Sequence, residues 1–433
     1  MGRKIDLPAD ETQSNLMEKI TCPHCWHSFD PIDVLWVAAS PELLGDFRLG
    51  ESEPRRFLPS RFDLQGRAVD EKGFSCKELA CPHCHLDLPF PLLEMPSSFI
   101  SIVGAPASGK SYFLAAMTSR LRKILPQKFC LNFIDADPKM NLRLIEYESA
   151  QFQNDDENAV VKIEKTQEQG DLYNTVLMDD QRITYPQPFV FAISPLSNHV
   201  HAEKSRRLSM SLALYDNAGE SYLPVQGADR TTLPVTRHLG KSNSIFFLFD
   251  PLQDSRFRAL CRSSSSDPQL EDDPNGQFRK SPVRQDMILA EMIRRTRLYR
   301  NMSSMERYPN PVVVVVTKLD AWKQLLPNVD FQPPWSPVKN TEMYVLRKNR
   351  IQTVSDAVRK LFHRNLPEII GMVEQFASDV TYIPVSATGA PPIVDPATHE
   401  NGFRNRDIKP LWAEIPVLYA LARFTRGNIM IAD

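Results

Sequence analysis

The chain has 433 residues, about three domains' worth by length alone. Its 42% apolar and 24% charged content is that of a soluble globular protein, and a net charge of −2 excludes a global field drawing it to nucleic acid or to a membrane surface. Against only 16 glycines, 35 prolines point to stiffened loops and insertions rather than disorder throughout, and no apolar run approaches membrane-spanning length.

The first residues, "MGRKIDLPADET", contain no apolar signal core, so a cytoplasmic protein is expected. Residues 1–96 read as a first domain. They carry "CPHCW" and "CPHCHL", hence Cys22, Cys25, Cys81 and Cys84. Each Cys-x-x-Cys sets two thiolates on one tight turn, and two such knuckles make a tetrahedral four-cysteine site for structural zinc. Cys76, His24, His27, His83 and His85 stand by as substitute ligands. A redox reading lacks the βαβ setting it needs. Structural zinc is closed to substrate, so this zinc ribbon is assigned to folding and partner docking. Cys130 and Cys261 read as plain thiols and Trp26 as a core anchor. The proline-broken "LPFPLLEMPSS" is the linker.

Residues 97–433 alternate strands with helices, which predicts a doubly wound, mainly parallel α/β sheet. "FISIVG" (99–104) reads as a buried strand, and "SYFLAAMTSRLRKIL" (111–125) as a helix stopped by Pro126. A helix follows in "DPKMNLRLIEYESAQF". "FVFAIS" (189–194), "LSMSLALYD" (208–216), "SIFFLFD" (244–250), "PVVVVVT" and "VTYIPVS" read as strands, with helices in "RQDMILAEMIRRTRLYRNM", "TVSDAVRKLFHRNLPEIIGMVEQFA" and the closing "PLWAEIPVLYALARF". Insertions are expected at about 150–187, 252–285 and 321–348. The stretch 261–282 reads as a flexible surface segment. The run "IRRTRLYR" reads as a solvated helix face, with a phospholipid or nucleic-acid patch as the lesser alternative.

Between the first strand and its helix lies "GAPASGKS", which fits G-x-x-x-x-G-K-[ST] through Gly104, Gly109, Lys110 and Ser111. Backbone N–H groups of Ala107, Ser108, Gly109 and Tyr112 and their neighbours ring the phosphates of a nucleotide. Lys110 reaches the terminal ones, Ser111 places its hydroxyl on Mg²⁺, and the helix adds its positive end. In "LALYDNAGE", a strand delivers Asp216 to hold a Mg²⁺-bound water, and the Gly219 N–H is placed to meet a γ-phosphate oxygen. Asp250, ending "IFFLFD", is the rival magnesium aspartate and belongs to an ATPase reading; Asp216 is favoured because phosphate sensing needs a flexible donor. "VVVVVTKLD" ends a parallel strand with Thr317, Lys318 and Asp320, where such sheets bind ligands. The Asp320 carboxylate accepts from guanine N1–H and the 2-amino group, whereas adenine leaves it unpaired. The Lys318 stem lies along the base. In "VSATG", Ser386 shapes a turn, the Ala387 N–H is aimed at guanine O6, and Thr388 completes the segment.

On GAPASGKS, DNAGE, TKLD and SAT, in that order over roughly residues 99–425, the chain resembles a P-loop GTPase of the translation-factor and Ras-like (TRAFAC) class. Thr317 replaces the commoner asparagine, as in Rho-type members. The resemblance implies a GTP/GDP switch with Mg²⁺ and a protein effector or activator; nucleic acid is a less expected partner and no oligomeric state is implied. It also implies a switch threonine on the metal, with Thr175 preferred over Thr184. Glu220 stands where the family orients the attacking water with glutamine. A carboxylate there is repelled by the γ-phosphate, so slow intrinsic hydrolysis is expected. Arg230 and Arg237 are candidates for a charge supplied in cis, although as surface arginines they need no such role. With a zinc ribbon ahead of it, the chain also looks like the bacterial double-GTPase type linked to conflict systems. The alternative to a GTPase is an adaptor that binds nucleotide without turning it over.

Overall fold

The computed structural model of the chain describes residues 16–163, 172–217, 219–222, 234–262, 265–270, 284–394, 401–425 and 427–433. Its apolar runs assemble into a seven-stranded sheet. In chain order the strands are β1 (Ser97–Gly104), β2 (Leu131–Asp135), a hairpin outside the sheet formed by β3 (Tyr173–Met178) and β4 (Gln181–Pro186), then β5 (Phe189–Pro195), β6 (Met210–Asp216), β7 (Ser244–Phe249), β8 (Val312–Val316) and β9 (Val380–Pro384). The order across the sheet is β2-β5-β6-β1-β7-β8-β9. From β6 to β9 all neighbours are parallel; β5 runs against both β2 and β6. The result is a mixed α/β fold with a large, mainly parallel sheet. All five valines of β8 are buried, as a strand covered on both faces requires.

Helices α1 (Lys110–Phe129), α2 (Pro138–Phe152), α3 (Gln285–Arg300), α4 (Lys348–Asn365), α5 (Pro367–Phe376) and α6 (Ile415–Phe424) fill the connections. Among the described residues none is long and apolar enough to cross a membrane. Boundaries differ from expectation: α4 begins at Lys348 rather than Thr353 and gives way to α5 at Pro367, and α1 runs through Pro126 to Phe129. Proline deprives the Arg122 carbonyl of its N–H partner, but Leu125 and Phe129 are fully buried on either side of it and hold the last turn.

Side chains alternate along β1 and β6, so the two sheet faces serve different cores. Ile100, Ile102, Leu212 and Leu214 pack with Phe113, Leu114 and Met117 of α1. Phe99, Ala213 and Tyr215 pack instead with Trp26, Trp36 and Leu88 of the N-terminal part. That part is built from short strands, with Ile20–Thr21 and Ser28–Phe29 bracketing the first cysteine pair and Leu79–Ala80 and Asp87–Leu88 the second. The β3–β4 hairpin, inside the predicted 150–187 insertion, clips onto it: Val176, Met178 and Tyr185 belong to the same core, and the Leu177 N–H donates to the Arg48 carbonyl at 2.8 Å.

Candidate functional site

The loop after β1 is shaped by where side chains cannot go. A Cβ on Gly104 would lie 2.8 Å from Ser108 Oγ and 2.9 Å from the Leu248 carbonyl, so only glycine fits. Gly109 turns the chain into α1 at φ 86°, and Ala107 holds φ 58°, a left-handed conformation that costs a non-glycine residue about 1 kcal/mol or more and persists only where its surroundings enforce it. Lys110, 7% exposed at the first position of α1, folds back on the loop. Its Nζ donates to the carbonyls of Gly104 at 3.0 Å and Ala105 at 3.1 Å. Ser111 follows in the same first turn.

The neighbouring strand β6 ends in buried Asp216, in register with Ile102 two residues before the loop. Gly219 then lies directly on the loop. A Cβ there would sit 2.4 Å from the Pro106 nitrogen and 2.7 Å from the Gly104 carbonyl. Asp250, the rival at the end of β7, has other work. Its Oδ1 accepts from the Leu252 N–H at 2.9 Å, and its Oδ2 pairs with Lys318 Nζ at 2.8 Å.

Two further loops close on the same space. Thr317 donates from its backbone to the Phe249 carbonyl at 2.9 Å, Lys318 turns at φ 56°, and Asp320 opens a short helix, Leu319–Trp322. Ser386 Oγ donates to Asp320 Oδ1 and accepts from the Gly389 N–H at 2.7 Å, tying the two loops together. Burial raises the Asp320 pKa above the usual carboxylate value, with the Ser386 hydrogen bond opposing it. The Ala387 carbonyl accepts from Gln151 Nε2 at 3.2 Å.

Parts of these loops line one cavity of about 300 Å³, whose lining does not include Lys110, Ser111, Asp216, Gly219 or Ser386. Ala107, Ser108, Gly109 and Tyr112 form one side; Thr317, Lys318, Asp320, Ala387 and Thr388 form another. Two contributors were not foreseen. Asp267, Pro268 and Gln269 also line it, although they lie in the stretch read as a flexible surface segment. Asp267 is 2% exposed, and burial raises its pKa. Asn401 and Phe403 line it as well, on a strand that pairs with Val160–Val161 of the 150–187 insertion. A short acidic or polar segment has no periodicity, so only the tertiary fold shows that it faces a ligand space.

Thr175 and Thr184 are not brought to this cavity. They face each other across the β3–β4 hairpin, Oγ1 to Oγ1 at 3.1 Å, and Thr175 lines a different cavity with His24 and Asp87. Glu220 follows Gly219 in a short 3₁₀ helix; its side chain and Arg230 lie outside the described residues. Arg237 is exposed beside Cys25 and Trp26, away from the phosphate loop. The run "IRRTRLYR" is not simply a solvated face. Arg295 is 1% exposed, pairs with Glu291 at 2.6 Å and donates to the Ser221 carbonyl at 2.9 Å, anchoring the turn after Gly219.

The four knuckle cysteines converge, with all sulfurs within 4.8 Å of one another. Cys22 and Cys84 are 3.8 Å apart, as are Cys25 and Cys81. Tetrahedral zinc with Zn–S bonds of about 2.3 Å needs sulfurs about 3.8 Å apart, so the donor set fits the ion. The knuckles are near copies. The His24 and His83 N–H groups each donate to the preceding thiol at 3.4 Å, and Trp26 and His85 each turn at positive φ. Three of the substitute ligands are engaged elsewhere: His85 Nδ1 meets Asp46 at 2.7 Å, His24 Nε2 the Asp87 carbonyl at 3.2 Å, and Cys76 the Phe74 carbonyl; His83 stays beside Cys25, stacked on His27. Zinc here would hold the two knuckles together. The purified protein is expected to carry one zinc per chain by elemental analysis, and Cys81→Ser to lose it together with several degrees of melting temperature. Retention of full zinc by Cys81→Ser would contradict the cluster.

No family model matches the chain, and no curated protein does. Among solved structures it is similar to Era from Aquifex aeolicus bound to GDP·AlF4⁻, at 12% identity and a TM-score of 0.27, over 78% of this chain and 62% of that one. A second is Era in complex with MgGDPNP and a segment of 16S ribosomal RNA, at 12% identity and TM-score 0.21, over 68% and 52%. A third is sup35 complexed with GDP, at 12% identity and TM-score 0.20, over 68% and 38%. The chain thus spans less than two thirds of the length of each. Likeness at this level leaves the reading of the site to the residues themselves.

Proposed function

We propose that the chain binds GTP with Mg²⁺ and hydrolyses it as a molecular switch, acting in the cytoplasm with a protein effector or activator. The observation that carries this reading is the single cavity shared by Ala107–Gly109 of the phosphate loop, by Thr317, Lys318 and Asp320, and by Ala387 and Thr388, three segments far apart in sequence. In this reading Lys110 and the loop N–H groups hold the phosphates, and Ser111 and Asp216 hold the metal, Asp216 through water. The Gly219 N–H senses the γ-phosphate; its close packing on Ala105 and Pro106 supports that role. Asp320 reads the guanine edge, the Lys318 stem covers the base, and the Ala387 N–H meets O6. The engagement of Asp250 with Lys318 argues against its use as the magnesium aspartate. Glu220, standing in sequence where the family has a water-orienting glutamine, gives a low intrinsic rate through the repulsion of a carboxylate by the γ-phosphate. The four-cysteine module serves folding and docking. Its placement ahead of a GTPase unit is the feature behind the finer kinship with the double-GTPase type linked to conflict systems.

The test is phosphate release by the purified protein with GTP and Mg²⁺, expected to be slow but well above background. Tight binding of GTP with no release over hours would overturn hydrolysis and leave the adaptor reading.

A further inference from the structure

Tyr215 precedes Asp216 on β6 and points the other way, into the core shared with the cysteine module. Its ring is fully buried, so its hydroxyl needs partners close at hand. The first knuckle supplies both kinds. Trp26 Nε1–H donates to the Tyr215 oxygen at 3.0 Å, and Tyr215 donates to the Pro23 carbonyl at 2.6 Å. The Tyr215 ring stacks on His238, with centroids 4.6 Å apart and planes 9° from parallel. Burial pushes the His238 pKa down to about 3, so the ring is neutral at physiological pH. The Asn217 amide donates to the Val235 carbonyl at 2.8 Å and to His238 Nε2 at 2.8 Å. With Nε2 accepting, the ring proton sits on Nδ1 and is donated to Ser101 Oγ of β1.

We propose that the Cys-Pro-His-Cys-Trp turn is a positioning element for the magnesium aspartate: Pro23 and Trp26 hold Tyr215, His238 holds Asn217 against β1, and Asp216 is fixed between them. This rests on the GTPase reading above. Trp26, Tyr215 and His238 are not among the residues assigned to the nucleotide or to magnesium; they act through the backbone that carries Asp216. The base pocket, on the far side of β1, is not part of this path. A change at the knuckle should therefore alter the Mg²⁺ requirement and leave base selection alone.

Tyr215→Phe and Trp26→Phe each delete one hydrogen-bonding group and keep a ring. The first readout is amide hydrogen exchange of the nucleotide-free full-length protein. Exchange across residues 215–219 is expected to quicken about tenfold in Trp26→Phe, the size of one ordinary hydrogen bond, and at least as much in Tyr215→Phe, which loses two, while α4 and β9 are unchanged. The second is the Mg²⁺ concentration that half-supports GTP turnover, expected to rise about tenfold with the KM for GTP within about twofold. The double variant should be no worse than Tyr215→Phe alone, because loss of the Tyr215 hydroxyl already removes the bond from Trp26 along with the bond to Pro23. Wild-type exchange and Mg²⁺ dependence in both variants would overturn the proposal, as would a uniform quickening over the whole chain. The exchange measurement needs no nucleotide. A wild-type protein that binds no GTP would sink the functional reading, while faster local exchange in the variants would still support the positioning path.

Discussion

Lys110→Ala is expected to lower nucleotide affinity at least about a hundredfold and to take phosphate release below detection. Charge-assisted hydrogen bonds contribute about 1.5–3 kcal/mol each, and one lysine serving two phosphates exceeds the 2.7 kcal/mol or so that a hundredfold loss requires. The fold should survive. Among the described residues its Nζ donates to two carbonyls of its own loop, and alanine is an excellent residue for the start of α1. Titration with a fluorescent GTP analogue, alongside circular dichroism, checks both halves. A variant that binds and turns over GTP as the wild type does would remove the phosphate loop from the account.

Asp320→Asn is the second large effect. A carboxylate accepts two hydrogen bonds from guanine; an amide offers one acceptor and one donor. Guanine then faces a donor against a donor, whereas xanthine, with an oxygen in place of the 2-amino group, is matched. GTP affinity is expected to fall about a hundredfold or more and xanthosine triphosphate to become the preferred ligand. Ser386 Oγ can still donate to the amide oxygen, so the loop pairing is kept. The same carboxylate predicts a pH dependence. Burial raises the pKa of Asp320, and guanine needs the ionised form. Affinity for GTP is therefore full above that raised value and declines as pH falls through it, approaching tenfold per unit below. Binding isotherms at a series of acid pH values check this. A fall in affinity on going to higher pH instead would contradict the assigned role.

How much of this was legible in the sequence depends on how local each signal was. Gly104, Gly109, Lys110 and Ser111 stand at fixed offsets between a buried strand and a helix, so the loop could be read directly. The paired Cys-Pro-His-Cys turns were equally plain, because four thiols at that spacing have few other uses. Five consecutive valines located β8 and so brought Asp320 to a strand end. Leu131–Asp135 was missed because a five-residue edge strand with two polar positions carries little periodic signal. Asp267 and Gln269 were missed because composition alone cannot tell a loop that folds over a cavity from one that hangs in solvent. Thr175 was chosen by its place between motifs, and the hairpin that turns it toward Thr184 and the cysteine module depends on contacts made far away in sequence. The Trp26–Tyr215 pair, 189 residues apart, had no sequence signal at all.

The most direct measurement is a competition of GTP against ATP for the purified wild-type protein with Mg²⁺. A preference for GTP of about a hundredfold or more is the expected result, because adenine offers the half-buried Asp320 carboxylate no donors in place of those of guanine. Equal affinity, or a preference for ATP, would contradict the assignment of the Thr317–Asp320 loop and return Asp250 to the position of magnesium aspartate.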